Sequence, residues 1–341
     1  RGYIRRPAGC EEMGHRVQYN YGTAILAAFE YLLDRYPEAF VIGQGLWSPW
    51  YVGNSMTNLD KKFGKERIID TPVSELACTG AAVGAALSGM KPIVVHPRMD
   101  FMLYAIDPIV NQAAKWAHMT GGQARAGVTI RAIINRGGEQ GAQHSQALHS
   151  WFAHVPGLRV VMPATVVDAR DLLISAVVSG DPVVYIDDRW LYDLTDELPP
   201  IVERPLDLER PRVLAEGRDV TIVACGHSTH LALKARIELA RDGIHAEVVD
   251  LRVLNPFHPE VAVESVRKTG RLLAVDGGWS SCGISAEIIA AVVERLPAGA
   301  LRAPPRRITL PAAPAPTSRV LEKVYYPGVL TLVDCVKRSL S

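Results

Sequence analysis

The chain has 341 residues, with 37 Lys and Arg against 36 Asp and Glu and a formal net charge of +1. Hydrophobic residues make up 48% and charged ones 21%, the balance of a folded soluble protein, and the length exceeds the usual single core and predicts two domains. Near-neutral charge leaves no field for gathering nucleic acid or an anionic membrane, and no run of about 18 apolar residues is present to span a bilayer.

Cysteines at 10, 78, 225, 282 and 335 form no CxxC pair and no finger-like spacing, so reduced thiols in a cytoplasmic protein are the expectation. No secretory leader is recognisable. The histidines show neither HxxxH nor HxH spacing, which removes the metal-hydrolase signatures. Arg1 to Arg16 is polar, basic and weakly patterned, and reads as an N-terminal arm.

From there strand and helix signals alternate. Thr23 to Tyr36 carries Ile25, Leu26, Phe29, Leu32 and Leu33 at helical spacing and stops at Pro37. Short strands follow at Phe40 to Ile42 and at Ile68-Ile69, then a helix of glycine and alanine from Cys78 to Met90. Pro92 to His96 reads as a strand, Ala105 to His118 as a helix and Gly127 to Ile134 as a strand. Gly157 to Met162 is a strand, Val166 to Val178 a helix and Val183 to Ile186 a strand. Proline and charge then interrupt the pattern, predicting a linker over 198–217.

A second α/β unit follows. Its strands are predicted at Val220 to Ala224, Ala246 to Leu251, Arg271 to Val275 and Arg307 to Leu310. Its helices are predicted at Ser228 to Asp242, Pro259 to Thr269, Gly283 to Arg295 and Pro327 to Ser339. Repeated βα units with short apolar strands predict an α/β fold: two α/β/α domains with mostly parallel sheets.

In such sheets ligands gather at the carboxyl ends of the strands. Loops at Gly43, Asp70 and Asn135 meet that edge in the first domain. Asp70-Thr71-Pro72-Val73-Ser74-Glu75-Leu76 enters the glycine- and alanine-rich helix, and by pattern alone also fits an ordinary capped helix start. Asn135 to Gln146 is glycine-rich and polar but lacks both GxxxxGK[ST] and GxGxxG. His144 within it also fits a surface or capping residue.

Several blocks, in order, carry a family resemblance. They are RIIDTPVSELACTGAAVGAALSGMKPIV from Arg67, AIDPIVNQAAKWAHMTGG from Ala105 and AQHSQALHSWFAHVPGLRVVMPA from Ala142, then DVTIVACG from Asp219, VVDLRVLNPF from Val248 and RLLAVDGGWSSCGISAEI from Arg271. The chain resembles the β subunit of thiamine-diphosphate-dependent 2-oxo acid dehydrogenases from about Val17 onward. The resemblance implies a transketolase-like fold: a pyrimidine-binding domain over 17–197 and a transketolase C-terminal-like domain over 218–341.

It also implies a shared site. The family's α-type subunit holds the diphosphate and Mg²⁺ through a Gly-Asp-Gly motif followed by Asn, which this chain lacks. The expectation is an oxidoreductase active only with that partner. Its assembly would be an α₂β₂ heterotetramer built on β–β pairing, with a lipoyl acyltransferase core where a complex exists. Glu75 matches the activating glutamate, whose carboxyl at pyrimidine N1′ favours the imino tautomer that deprotonates thiazolium C2. Partial desolvation would raise its pKa. Phe101 and Val73 match cofactor-binding positions, and His144 the active-site histidine, with Gln143 and Gln146 in support. Val128, Ala176, Val177, Ser179 and Asp181 match a potassium site of backbone carbonyls.

Some residues depart from the family. Gln44 replaces an acid after Gly43, and Trp47 to Tyr51 is unusually aromatic, fitting either partner packing or an unusual substrate pocket. His96 and Arg98 replace Phe and Thr of pyruvate-type members, and face either substrate or acids on the partner. Thr317 stands where an aromatic ring is usual. The reaction implied is decarboxylation of a 2-oxo acid or cleavage of an acyloin, with acyl transfer to a lipoyl carrier. The alternatives are a split transketolase-like or acyloin-forming carboligase and a non-catalytic assembly subunit. Glu75, Phe101 and His144 together argue against the last.

Overall fold

Parallel strands buried on both faces are largely apolar, and the central strands here are so apart from Thr129, Arg131, Asp187 and Asp188. In the computed structural model, which describes residues 18–340, they build a seven-stranded sheet. Its order is Val253–Asn255, Arg159–Val161, Val183–Asp188, Thr129–Ile134, Lys91–His96, Ala39–Gln44 and Ile68–Thr71. All neighbours run parallel except Val253–Asn255, which pairs antiparallel with Arg159–Val161. The N-terminal arm and Cys10 lie outside the described residues.

Alternate residues of each strand feed opposite cores. Val41, Ile93, Val95 and Ile133 pack with Tyr21, Ile25, Phe29 and Leu32 of helix Tyr21–Arg35 on one face. Ile42, Val94, Ile130 and Ile134 pack with Ala82, Val83 and Ala86 of helix Glu75–Leu87 on the other. A five-stranded sheet follows in the order Arg212–Ala215, Ala246–Asp250, Val220–Ala224, Leu272–Trp279 and Arg306–Leu310. Only Arg212–Ala215 is antiparallel in it.

The structure departs from the sequence expectations in several places. The small-residue helix begins at Glu75, not Cys78, with Ser74 as its non-helical N-cap at φ −163° and ψ 65°. The helix expected from Ala105 to His118 is a 3₁₀ turn at Phe101–Ala105, π turns over Pro108–Ala113 and an α-helical turn at Ala114–Met119. Pro108 has no N–H to continue the ladder. The linker predicted over 198–217 contains the edge strand Arg212–Ala215, whose backbone pairs with Val248 to Asp250. Finally, the two sheets share a core: Val223, Leu251, Ala274 and Ile288 cluster with Ile42, Val94 and Phe152.

Buried charges cross the same junction. His149 Nε2 lies 2.9 Å from Asp276 Oδ1, both fully buried, and Asp276 also accepts the Gly278 N–H. Arg136 pairs with Asp188 and donates to the Gly277 carbonyl at 3.0 Å. Within the first sheet, Arg131 is fully buried against Asp187, Ser55 and Tyr192.

Candidate functional site

The chain leaves strand Ala39–Gln44 toward Ile68–Thr71 on one side, then returns to Lys91–His96 on the other. That reversal opens a crevice at the carboxyl edge, the place where open α/β sheets bind ligands. Gly43 makes the crevice possible, since a Cβ there would sit 2.3 Å from the Val95 carbonyl oxygen.

Glu75 is the first residue of helix Glu75–Leu87 and is half-buried at this edge. It lines a 250 Å³ pocket with Gln44, Tyr51, Val73, His96, Arg98, Phe101 and Tyr104. The Phe101 ring meets His144 edge-on, with centroids 5.2 Å apart and planes at 90°. The fold therefore brings Val73, Glu75, Phe101 and His144 to one place. Gln146 supports the arrangement through its backbone N–H, which donates to Asp100 Oδ1 at 3.0 Å. Burial pushes the Asp100 carboxyl above its ordinary pKa despite that bond. Gln143 is exposed.

One turn along the helix from Glu75, Thr79 Oγ1 lies 3.2 Å from His96 Nε2, and both residues are buried. Burial holds the His96 pKa down to about 4, so its imidazole is neutral near pH 7. Two polar atoms at this edge, Thr71 Oγ1 and Arg98 Nη1, are buried without a hydrogen-bond partner. The Glu75 carboxylate beside the Phe101 ring suits a polar, flat ligand such as an aminopyrimidine.

The aromatic loop is fastened to the same edge. Asp70 accepts the Gly45 N–H at 2.6 Å and the Trp47 N–H at 3.4 Å, and Trp47 Nε1 donates to the Ile68 carbonyl at 2.8 Å. Gln44 Nε2 donates to Tyr51 Oη at 2.9 Å, so the amide that replaces an acid is bonded within the pocket wall.

The second half of the chain holds the His144 loop. Glu322 Oε1 accepts the Glu139 N–H at 2.9 Å, and Glu139 has φ +64°. Thr317 stands against Gly141, where a Cβ would come within 2.8 Å of Thr317 Oγ1. Sequence reading found neither Glu322 nor Thr79. Thr79 is signalled only by its spacing of four from Glu75, once the helix is known to start there.

The potassium positions are neighbours in space. Gly127 abuts Gly180, and the Val128 carbonyl accepts the Val183 N–H at 3.0 Å. The Ala176 carbonyl accepts Ser179 Oγ–H at 2.8 Å, and Val177 is buried on the same helix end. The Asp181 carboxylate is engaged by Arg125 at 2.9 Å and Arg159 at 2.6 Å, which leaves only its backbone oxygen. No group of three or more His, Cys, Asp or Glu that could hold a metal occurs among the described residues.

A larger cleft of 860 Å³ lies elsewhere, lined by Ile106, Trp151, Phe257, Ile284 and other mainly apolar residues. Its polar lining is Asn111, Ser150, His154, Asn255, Cys282 and Glu287, and it includes none of Val73, Glu75, Phe101 and His144. No helix of the described residues is long and apolar enough to cross a membrane.

A family model described as the transketolase pyrimidine-binding domain matches residues 17–193, and one described as the transketolase C-terminal domain matches 210–330. The acetoin:2,6-dichlorophenolindophenol oxidoreductase subunit beta of Cupriavidus necator is 41% identical over 275 residues, 81% of this chain and 81% of that one. Pyruvate dehydrogenase E1 component subunit beta-1 of Arabidopsis thaliana is 37% identical, covering 97% of this chain and 90% of its own length. The corresponding Homo sapiens subunit is 33% identical, covering 90% of this chain and 83% of its own. Among solved structures, a split gene transketolase described as an inactive beta4 tetramer matches with a TM-score of 0.73 at 25% identity, over 94% of this chain and 98% of that one. The chain belongs to the transketolase-type family, with pyrimidine-binding and C-terminal domains, that includes the β subunits of acetoin and pyruvate dehydrogenases.

Proposed function

We propose that this chain is the β subunit of a thiamine-diphosphate enzyme that decarboxylates a 2-oxo acid or cleaves an acyloin and passes the acyl unit to a lipoyl carrier. The observation that carries this reading is the meeting of Glu75, Val73, Phe101 and His144 at the sheet's carboxyl edge. When bound, thiamine diphosphate supplies the carbanion-stabilising chemistry.

Glu75 holds and exchanges a proton at the pyrimidine ring nitrogen, while Phe101 offers its face to that ring. Val73 packs at the pocket rim. His144 stands behind Phe101, placed to hydrogen-bond the substrate or acyl carrier, or to move a proton during acyl transfer. The diphosphate and Mg²⁺ fall to an α-type partner, consistent with the missing Gly-Asp-Gly motif. The assembly we infer is α₂β₂, cytoplasmic, and docked on a lipoyl acyltransferase core where one exists. Potassium, if bound, sits on backbone oxygens near Val128, Ala176, Val177, Ser179 and Asp181.

The structural likeness to a split transketolase supports a second reading, a carboligase or transketolase-like enzyme without a lipoyl partner. Acyl transfer to a free lipoyl domain separates the two. The central test is Glu75→Gln in the enzyme reconstituted with its α-type partner. Exchange of the cofactor C2 proton, followed by NMR, is expected to slow at least 100-fold while assembly stays intact. Exchange at the wild-type rate overturns the role given to Glu75.

A further inference from the structure

The molecule pairs its buried guanidinium groups. Arg131 is bound to Asp187, Arg136 to Asp188, Arg170 to Asp171, and Arg252 to Asp168 and Glu209. The reason is energetic, since a desolvated cation without a counter-charge is among the most costly groups a protein can hold.

Arg98 has no such counter-charge, and neither does the partly buried Arg189, which donates to the Tyr51 carbonyl. Arg98 follows strand Lys91–His96 by two residues and is partly buried, and its Nη1 is fully buried with no hydrogen-bond partner. No carboxylate among the described residues pairs with it, although Glu75 lines the same 250 Å³ pocket. The pocket thus presents a fixed positive fork beside the activating carboxylate.

A guanidinium placed there cannot usefully grip the carboxylate that leaves. That group loses its charge as CO₂ forms, so pairing it would stabilise the ground state more than the transition state and slow the reaction. An alkyl side chain is no better, because it would desolvate the cation further without compensation. A group that keeps its negative charge throughout the reaction fits both constraints, and the planar fork suits carboxylate or phosphate oxygens.

We propose that Arg98 is a specificity-determining residue that binds a second anionic group of the substrate, a carboxylate or phosphate separate from the reacting end. The inference rests on the thiamine-enzyme reading above and names the substrate class of that site. Gln44 and Tyr51, bonded to each other in the same wall, supply further polar contacts for such a group.

The test uses the enzyme assembled with its α-type partner and an artificial electron acceptor. Three 2-oxo acids are compared: 2-oxopentanoate, 2-oxoglutarate of the same chain length, and 2-oxo-3-phosphonooxypropanoate. Wild-type kcat/KM is expected to favour at least one of the dianionic substrates more than tenfold, and which one identifies carboxylate or phosphate. In Arg98→Met that preference collapses to about twofold or less, with kcat/KM for 2-oxopentanoate changed less than threefold.

Equal loss on all three substrates, or a wild-type preference for 2-oxopentanoate, overturns the proposal. So does weakened association of Arg98→Met with the partner subunit in sedimentation, which would place a partner carboxylate on the guanidinium. Cofactor C2 exchange is measured in the same samples. Exchange without dianion preference defeats only the role of Arg98, whereas absence of exchange in the wild-type assembly defeats the thiamine-enzyme reading and this inference with it.

Discussion

Asp250 ends its strand in the second sheet with its carboxylate fully buried, one oxygen accepting from Thr229 at 3.1 Å and the other without a partner. Burial, reinforced by the nearby Asp168 charge and opposed by Arg252, pushes its pKa up to about 7. The folded state therefore keeps a proton that the unfolded chain releases between about pH 4 and pH 7, so stability falls as pH rises through that window. A shift of about three units corresponds to at most roughly 4 kcal/mol. Asp250→Asn keeps an acceptor for Thr229 and removes the titration. Its melting temperature relative to wild type is expected to rise between pH 5 and pH 8, measured by calorimetry, and parallel pH profiles for the two proteins would contradict this account. In the single chain Glu75 is only half-buried, so the desolvation its chemistry needs must come from cofactor and partner.

At the scale of elements, the His144 loop is held from outside its own domain. Glycines at 137, 138 and 141 take positive φ freely, but so does the non-glycine Glu139, in a conformation that persists only where contacts over-determine it. Glu322, on helix Arg319–Tyr325, supplies one such contact by accepting the Glu139 N–H. Glu322→Ala is expected to cost about 1–3 kcal/mol, the range for a hydrogen bond to a charged group. Amide exchange across 137–146 should accelerate and turnover should fall several-fold, while thiamine diphosphate affinity of the assembled enzyme is retained. Unchanged exchange in that loop would show that Glu322 does not hold it. Helix Glu75–Leu87 shows the complementary case. Its inner face, Thr79, Ala82, Val83 and Ala86, packs on the sheet, while the glycines at 80 and 84 have no atom within 4 Å of an added Cβ.

For the whole molecule, the function proposed above makes the pocket half a site. Val73 and Tyr104 at its rim are 70% and 73% exposed, and the outer face of the Glu75 helix is uncovered. A ligand in such a pocket gains too little burial to offset its lost freedom. The isolated chain is therefore expected to bind thiamine diphosphate at least 100-fold more weakly than the chain mixed with its α-type partner, measured by titration calorimetry. Tight binding by the chain alone would overturn the split-site model.

Much of this was legible from residues alone. Strand and helix alternation predicted the mostly parallel α/β architecture, because buried parallel strands are largely apolar and their crossover helices show a 3.6-residue period. Helix Val166–Val178 and strand Val220–Ala224 fall where the pattern puts them. Family blocks pointed to Val73, Glu75, Phe101 and His144, although local pattern could not tell Glu75 from a helix-start carboxylate. Val253–Asn255 and Arg319–Tyr325 were not legible, since neither short run carries a clear period of its own.

What the sequence determined by itself is therefore the class of fold, the order of its elements and the chemistry available at the sheet edge. Those depend on local periodicity and residue type. Tertiary structure alone decided that the helix starts at Glu75 itself and that Thr79 meets His96. It also decided that Glu322 reaches across to the His144 loop, and that Arg98 stands unpaired in the pocket. Each of these is a meeting of groups far apart in the chain or set by a cap, and only the packed chain specifies which buried charges find partners and which are left for a ligand.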